Sequence, residues 1–155
     1  MKQVSLPLRR SLCISLALPW IGSPARAEGH SKEEAIKMVE KAIAMHKAVG
    51  KEKTLAAVNQ KVGPFVEGEV YLFVYDITGM MVAHAVNPKL VGRNLLEVPD
   101  PDGKYWRKTI RDVAVTKGSG WVDYKYKNPV TGRNEPKSSY VHKMDDVIYC
   151  CGIYL

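Results

Sequence analysis

The chain has 155 residues, with 23 Lys and Arg against 16 Asp and Glu, a formal net charge of +7 and three cysteines. Lys2, Arg9, Arg10 and Arg26 stand in the first 27 positions with no acid among them, so the remainder carries 19 basic and 16 acidic residues, a balance of +3. That mixed surface removes the electrostatic case for nucleic acid, and 155 less 27 leaves 128 residues, enough for one domain with a full core.

Residues 12–21 form a short apolar run behind the basic start, and Ala25-Arg26-Ala27 fits a small-x-small cleavage site. The run falls short of the roughly 20 residues that a membrane span needs. The expectation is a cleaved secretory signal peptide over 1–27, a single domain over 28–155, and a periplasmic location. The mature chain is expected to hold no membrane span.

A helix is predicted over 31–49. Ser31 and Glu34 have the spacing of a capping box, in which each side chain satisfies a free backbone N–H of the first turn. Ile36, Val39, Ile43 and His46 share one face, which Ala35, Met38, Ala42, Met45 and Val49 widen. Gly50 suits the position past the helix end. A shorter helix is expected over 51–60 with Leu55 and Val58 inward, and Gly63-Pro64 then breaks the chain.

Residues 71–94, YLFVYDITGMMVAHAVNPKLVGRN, read as a β-hairpin and its exit. Asp76-Ile77-Thr78-Gly79 suits a type I turn, with Asp bonding the backbone and Gly relieving the fourth position. His84 stands in an otherwise apolar second strand, which Asn87-Pro88 stops. The following segment, rich in Gly92, Pro99, Pro101 and Gly103, belongs on the surface of the sheet. Asp102 is placed to cap a helix over 104–117 whose inward residues are Trp106, Ile110 and Val113. Strands then follow at 121–126, 137–143 and 147–155, separated by Asn128-Pro129-Val130-Thr131-Gly132 and by Asp145-Asp146.

The order of elements describes an α+β domain with an antiparallel five-stranded sheet and a long N-terminal helix. Cys150 and Cys151 are adjacent, so in a strand they point to opposite faces and read as small buried residues. CxxC, CxxCH and HExxH patterns are absent from the sequence, and no metal or cofactor is expected.

The succession YLFVYD-ITG, AHAVNP, LVGRNL, DPDGK, GSGWVDY, NPVTG, PKSSYV and CGIYL resembles the single Cache domain, type 2 (sCache_2), over nearly all of the mature chain. The family supplies extracytoplasmic sensor domains to bacterial chemoreceptors and histidine kinases, and also occurs as small secreted proteins. The resemblance implies a PAS-like fold and a pocket on the sheet face opposite the long helix. It also implies binding of a small organic acid such as acetate, propionate, pyruvate or lactate.

A buried carboxylate needs donors and a cation, since an unpaired ion in dry surroundings costs several kcal/mol. Candidate ligand-binding residues on the segments that resemble the family pocket are Tyr71, Tyr75, His84, Arg93, Asn94, Trp121, Tyr124, Lys137 and Tyr140. Alternation in a regular strand sends Trp121 and Tyr124 to opposite faces, so both reach one pocket only through a bulge. The expected function is ligand sensing without catalysis, since no nucleophile motif such as GxSxG accompanies His84. Leu155 directly follows the last predicted strand, so a separate membrane-bound receptor or histidine kinase is the expected partner beside the organic anion. The competing expectation is a protein-interaction subunit with a vestigial pocket, working through the outer face of the 31–49 helix.

Overall fold

Ser31 opens the first helix as its spacing predicts. Its hydroxyl accepts from the Glu34 N–H at 3.3 Å while the Glu34 carboxylate accepts from the Ser31 N–H at 2.9 Å. Helix α1 (Lys32–Val49) buries Ala35, Met38, Val39, Ala42, Ile43 and His46 along one stripe. These positions come from a computed structural model that describes residues 30–155, and the expected signal peptide and cleavage site lie outside the described residues. Gly50, at φ 90°, ends α1 by donating to the His46 carbonyl at 2.9 Å, and α2 (Lys51–Val58) follows at once. It is two residues shorter than expected, with Thr54 and Val58 buried and Leu55 half-buried.

The sheet is antiparallel throughout and has six strands among the described residues. They are β1 (Val66–Glu67), β2 (Val70–Asp76), β3 (Met81–His84), β4 (Ser119–Lys127), β5 (Asn134–Met144) and β6 (Val147–Tyr154). The strand beyond the expected five is β1, a two-residue piece that shares the outer edge of β2 with β3. Along the sheet the order is β1-β2-β6-β5-β4, with β3 beside β2. Helix α3 (Trp106–Lys117) lies between β3 and β4 in the chain. α1 packs on one sheet face, while α3 and the segment leading to it lie over the other. Covered on both sides, β6 is buried at every residue and β2 at all but Asp76. That explains why YLFVY and VIYCCGIY read as continuous apolar runs without polar alternation.

Strand parity divides the side chains. Leu72 pairs with Cys151 and Val74 with Tyr149, and these four face α1. On that side the Cys151 thiol lies 3.5 Å from the Met38 sulfur. His46 is held there too, with Nδ1 3.0 Å from the Tyr149 hydroxyl and Nε2 3.4 Å from Asp145. Burial pushes the Cys151 thiol up to about 12 and the Cys150 thiol well up, so both cysteines are inert packing residues.

The turn between β2 and β3 forms as its residues predict. Gly79 N–H donates to Asp76 O at 3.0 Å, and one Asp76 carboxylate oxygen accepts from the N–H of Thr78 at 2.8 Å and of Met80 at 2.9 Å. The expected cap on α3 is different. Asp102 forms an ion pair with Lys125 at 2.8 Å, α3 begins at Trp106 without a side-chain cap, and Asp100 collects the free amides instead. Asp100 accepts from Asp102 N and Lys104 N through one oxygen and from Lys125 N through the other, tying the crossing segment to the edge of β4.

Gly79 has φ +89°, and a Cβ there would fall 2.2 Å from Leu96 Cγ of the crossing segment. Gly79→Ala is therefore expected to destabilise the domain by about 2 kcal/mol through backbone strain and the displaced leucine, measured by urea unfolding.

Candidate ligand-binding site

The sheet face opposite α1 is lined with aromatic and hydroxylic side chains around one cation. Tyr71 pairs with Gly152, Gly152 with Ser139, and Ser139 with Val122, while Tyr154 pairs with Lys137 and Lys137 with Tyr124. Lys137 is 1% exposed, although lysine is almost never fully buried without a partner. Its ammonium lies 3.8 Å from the centre of the Tyr71 ring and 4.6 Å from that of Tyr154, with Phe73 and Tyr126 beyond. The one hydrogen-bond partner of that ammonium among the described residues is the Tyr154 hydroxyl at 3.4 Å, and none of their carboxylates lies within ion-pair distance. Burial pushes the Lys137 ammonium down to about 7, against an upward pull from the neighbouring thiols and Glu69.

Lys137 can lie flat across the sheet because Gly152 has no side chain. A Cβ at Gly152 would stand 2.5 Å from Lys137 Cε and 2.2 Å from Ser139 Oγ. Ser139 in turn is bonded to the Tyr124 hydroxyl at 2.8 Å.

His84 closes the β3 side. Its Nδ1 accepts from the backbone N–H of Asn87 at 3.0 Å and of Val86 at 3.3 Å, which places the proton on Nε2. The ring stacks near Tyr71 and Phe73, with centroids 5.2 and 5.9 Å away. Burial, and then the nearby charges of Lys137 and Arg107, push its pKa down to about 3, so the imidazole is neutral and offers one N–H donor.

The third side is built by α3. Trp106 stacks on Tyr124 at 3.8 Å with the rings parallel. The buried Arg107 guanidinium lies 4.0 Å from the Trp106 ring, donates to the Tyr75 hydroxyl at 3.0 Å and donates to the Val98 carbonyl at 2.9 Å.

The space enclosed by these rings is about 10 Å³, lined by Tyr71, Phe73, His84 and Tyr126 among others, and holds no more than one water. Tyr71, His84 and Tyr126 also border an outer depression of about 270 Å³ beneath the β4–β5 turn at Asn128, Pro129 and Gly132. A second depression of about 260 Å³ lies on the far side of Tyr126, against Arg107 and Pro99. Tyr126 therefore stands between the inner space and both openings.

Five of the nine candidate residues come together here: Tyr71, Tyr75, His84, Tyr124 and Lys137. Trp121 and Tyr140 pair with each other on the α1 face, where Lys32 covers the Trp121 ring at 4.9 Å. They are outside the site because β4 runs without a bulge, so Trp121 and Tyr124 keep opposite parity. Arg93 and Asn94 are exposed and do structural work. The Arg93 carbonyl accepts from Met81 N, and the Asn94 amide bridges the Thr78 carbonyl and Leu96 N.

Arg107, Trp106, Tyr126, Ser139 and Tyr154 complete the site and were absent from the sequence-derived set. Tyr126 shares the parity of Tyr124 and was available from that alternation. Arg107 falls on the same helical stripe as Ile110 and Ala114, a signal present in the spacing.

The family model described as a Cache domain matches residues 30–151. The sensor histidine kinase MctS of Rhizobium johnstonii is 35% identical over 89 residues, which cover 55% of this chain and 19% of that kinase. The chain thus spans about a fifth of the length of that relative. Among solved structures, a periplasmic sensor domain of a chemotaxis protein is 27% identical with a TM-score of 0.64, over 79% of this chain and 89% of that one. A methyl-accepting chemotaxis protein from Vibrio parahaemolyticus, 24% identical, has a TM-score of 0.68 over 79% of this chain and 87% of its own. A Cache chemosensory domain described for carboxylic acid recognition, 23% identical over the same shares, has a TM-score of 0.64. With its matching profile, antiparallel sheet and helix-covered face, the chain belongs to the Cache domain family of ligand sensors found in chemotaxis proteins and histidine kinases.

Proposed function

We propose that this domain binds a small carboxylate, such as acetate, propionate, pyruvate or lactate, outside the cytoplasm and presents its occupancy to a separate membrane-bound receptor or kinase. The domain acts by binding and carries out no catalysis. The carrying observation is Lys137: a buried ammonium whose only hydrogen bond is long and whose charge lacks a counter-ion among the described residues. A carboxylate beside it supplies what the fold withholds. The Nε2–H of His84 and the hydroxyls of Tyr71 and Tyr124 are further donors, while the Tyr154 hydroxyl gives its proton to the Lys127 carbonyl at 2.9 Å, and the aromatic walls limit the acid to a few carbons. A related fold has been described for carboxylic acid recognition, which supports the same class here.

At about 10 Å³ the inner space admits no acid until rings move. Tyr126, half-buried between two openings, is the ring whose rotation joins the inner space to the outer depressions. The same small volume favours a second reading, in which the pocket is vestigial and the domain works as a protein-interaction subunit. The two differ in what Lys137 is for.

A thermal-shift panel of the four acids distinguishes them. At about 100 times the dissociation constant a true ligand adds about 2.7 kcal/mol of stability, and Lys137→Met abolishes that gain. Trp121→Phe, on the other face, leaves it intact. Stabilisation by none of the acids in folded protein would leave only the vestigial pocket standing.

Lys137→Met itself is expected to raise the stability of the unliganded domain by about 1–4 kcal/mol, because it replaces an uncompensated buried charge with a packed apolar chain. The pH dependence has a definite sign. Between pH 7 and 10.5 the unfolded chain keeps a proton on Lys137 that the folded chain has released, so stability rises with pH across that window. Urea unfolding at pH 7 and pH 10 should show this rise in the wild type and its loss in Lys137→Met. Gly152→Ala, which pushes Lys137 and Ser139 aside, should weaken acid binding about tenfold or more by isothermal calorimetry while the fold survives.

A further inference from the structure

Among the described residues, the tyrosines, thiol and imidazole that face Lys137 are held away from neutral pH. From β2, Tyr71 is pushed well up by burial, and from β4 Tyr124 and Tyr126 are pushed up for the same reason. From β6, Tyr154 and the Cys150 thiol also move up. His84 on β3 is neutral down to about pH 3. Arg107 on α3 keeps its charge, since a guanidinium does not release its proton in proteins. The Glu69 carboxylate, which precedes β2, is engaged by the Asn128 amide at 2.8 Å instead of by the ammonium.

Lys137 is thus the group in this cavity whose charge changes near neutrality. Its geometry alone makes the charged form depend on what enters. The rings of Tyr71 and Tyr154 offer the ammonium cation–π attraction, and among the described residues the Tyr154 hydroxyl is its single hydrogen-bond partner and no carboxylate lies within ion-pair distance to compensate for its lost water. An entering carboxylate supplies that compensation, and it stabilises the protonated amine specifically.

Resting on the carboxylate reading above, we propose that capture of the acid draws a proton onto Lys137, so that the site responds to the anion and to acidity together. The step balances as a free carboxylate, a neutral amine and one proton from solvent giving a carboxylate–ammonium pair. In net terms, above neutrality the site takes up the elements of the undissociated acid. Below neutrality the amine already carries its proton and only the anion binds. An arginine at position 137 would hold the anion at every pH, which makes lysine the choice that introduces the coupling.

Calorimetric titration of the whole protein with acetate, propionate, lactate and pyruvate at pH 6 and pH 8, each in two buffers of different ionisation enthalpy, tests this. The expected result at pH 8 is an uptake of about 0.9 proton per bound acid, falling to about 0.1 at pH 6, with affinity dropping about tenfold per pH unit above 7. Lys137→Arg should bind without uptake and with a flat pH profile. Because that variant also changes shape, ¹³Cε chemical shifts of Lys137 in the unliganded wild type give a second readout, expected to titrate near neutrality and to stay in the ammonium form at pH 8 once acid is added. Binding with heats independent of buffer, or a Lys137 signal that titrates where ordinary lysines do, overturns the coupling alone. Binding of none of the four acids overturns the ligand reading and the coupling with it.

Discussion

An ammonium group enclosed by aromatic rings, without a counter-ion among the described residues, is the constraint that organises this domain. Nothing in the packing of an α+β sheet requires a lysine at the centre of a strand, and an apolar residue there would suit the core better. The surroundings nevertheless accommodate it at several positions. Gly152 leaves room for its stem, Ser139 and Tyr124 satisfy one another beside it, Tyr71 and Tyr154 present their ring faces to its charge, and the Tyr154 hydroxyl accepts from it. A fold that keeps so unfavourable a group in so specific a frame carries a local loss of stability that a bound anion would reverse. Strain of this sort is characteristic of binding sites.

The two sheet faces have different chemistry because they have different covers. The α1 side is sealed by an aliphatic stripe with His46 and Tyr149 joined at its end. The other side is covered by α3 and by a proline- and glycine-rich segment held through Asp100, and it leaves openings on either side of Tyr126. Strand β6 belongs to both. Gly152 lies under the lysine stem, and three residues earlier Tyr149 contacts His46 of α1, so the cavity and the long helix share one central strand. A periplasmic sensor domain of a chemotaxis protein has a similar fold, and here that fold puts the aromatic cavity and the long helix on opposite sides of one sheet.

Local chemistry was legible wherever neighbours in sequence are neighbours in space. The Ser31–Glu34 capping box, the Asp76–Gly79 turn and the stop at Gly50 all depend on atoms within a few residues of each other, and each formed as its spacing predicts. The same logic failed at Asp102, where two carboxylates compete for nearby amides and a distant lysine. Asp100 reached Lys125 N of β4 as well as its own loop, which left Asp102 to pair with the Lys125 side chain. Of the candidate site residues, those on β2, β3 and the even positions of β4 converge, together with Lys137. Trp121, Tyr140, Arg93 and Asn94 do not, and Arg107 enters from the inward stripe of α3, where a charged residue stands among apolar ones.

By itself the sequence determined the kind and order of the main elements, though not the two-residue β1, together with the family resemblance and the division of side chains into two alternating sets along each strand. These follow from backbone periodicity and from turn and cap chemistry, which act over a few residues. Only the tertiary structure decided which alternating set faces the cavity, because that depends on which sheet face α1 covers and on the register that aligns Lys137 with Tyr124 and Tyr154. It alone brought Arg107 to Tyr75, across 32 positions of chain, and left Lys137 without a carboxylate partner among the described residues. Burial and counter-ions are properties of assembled surfaces, and no stretch of chain contains them before the layers meet.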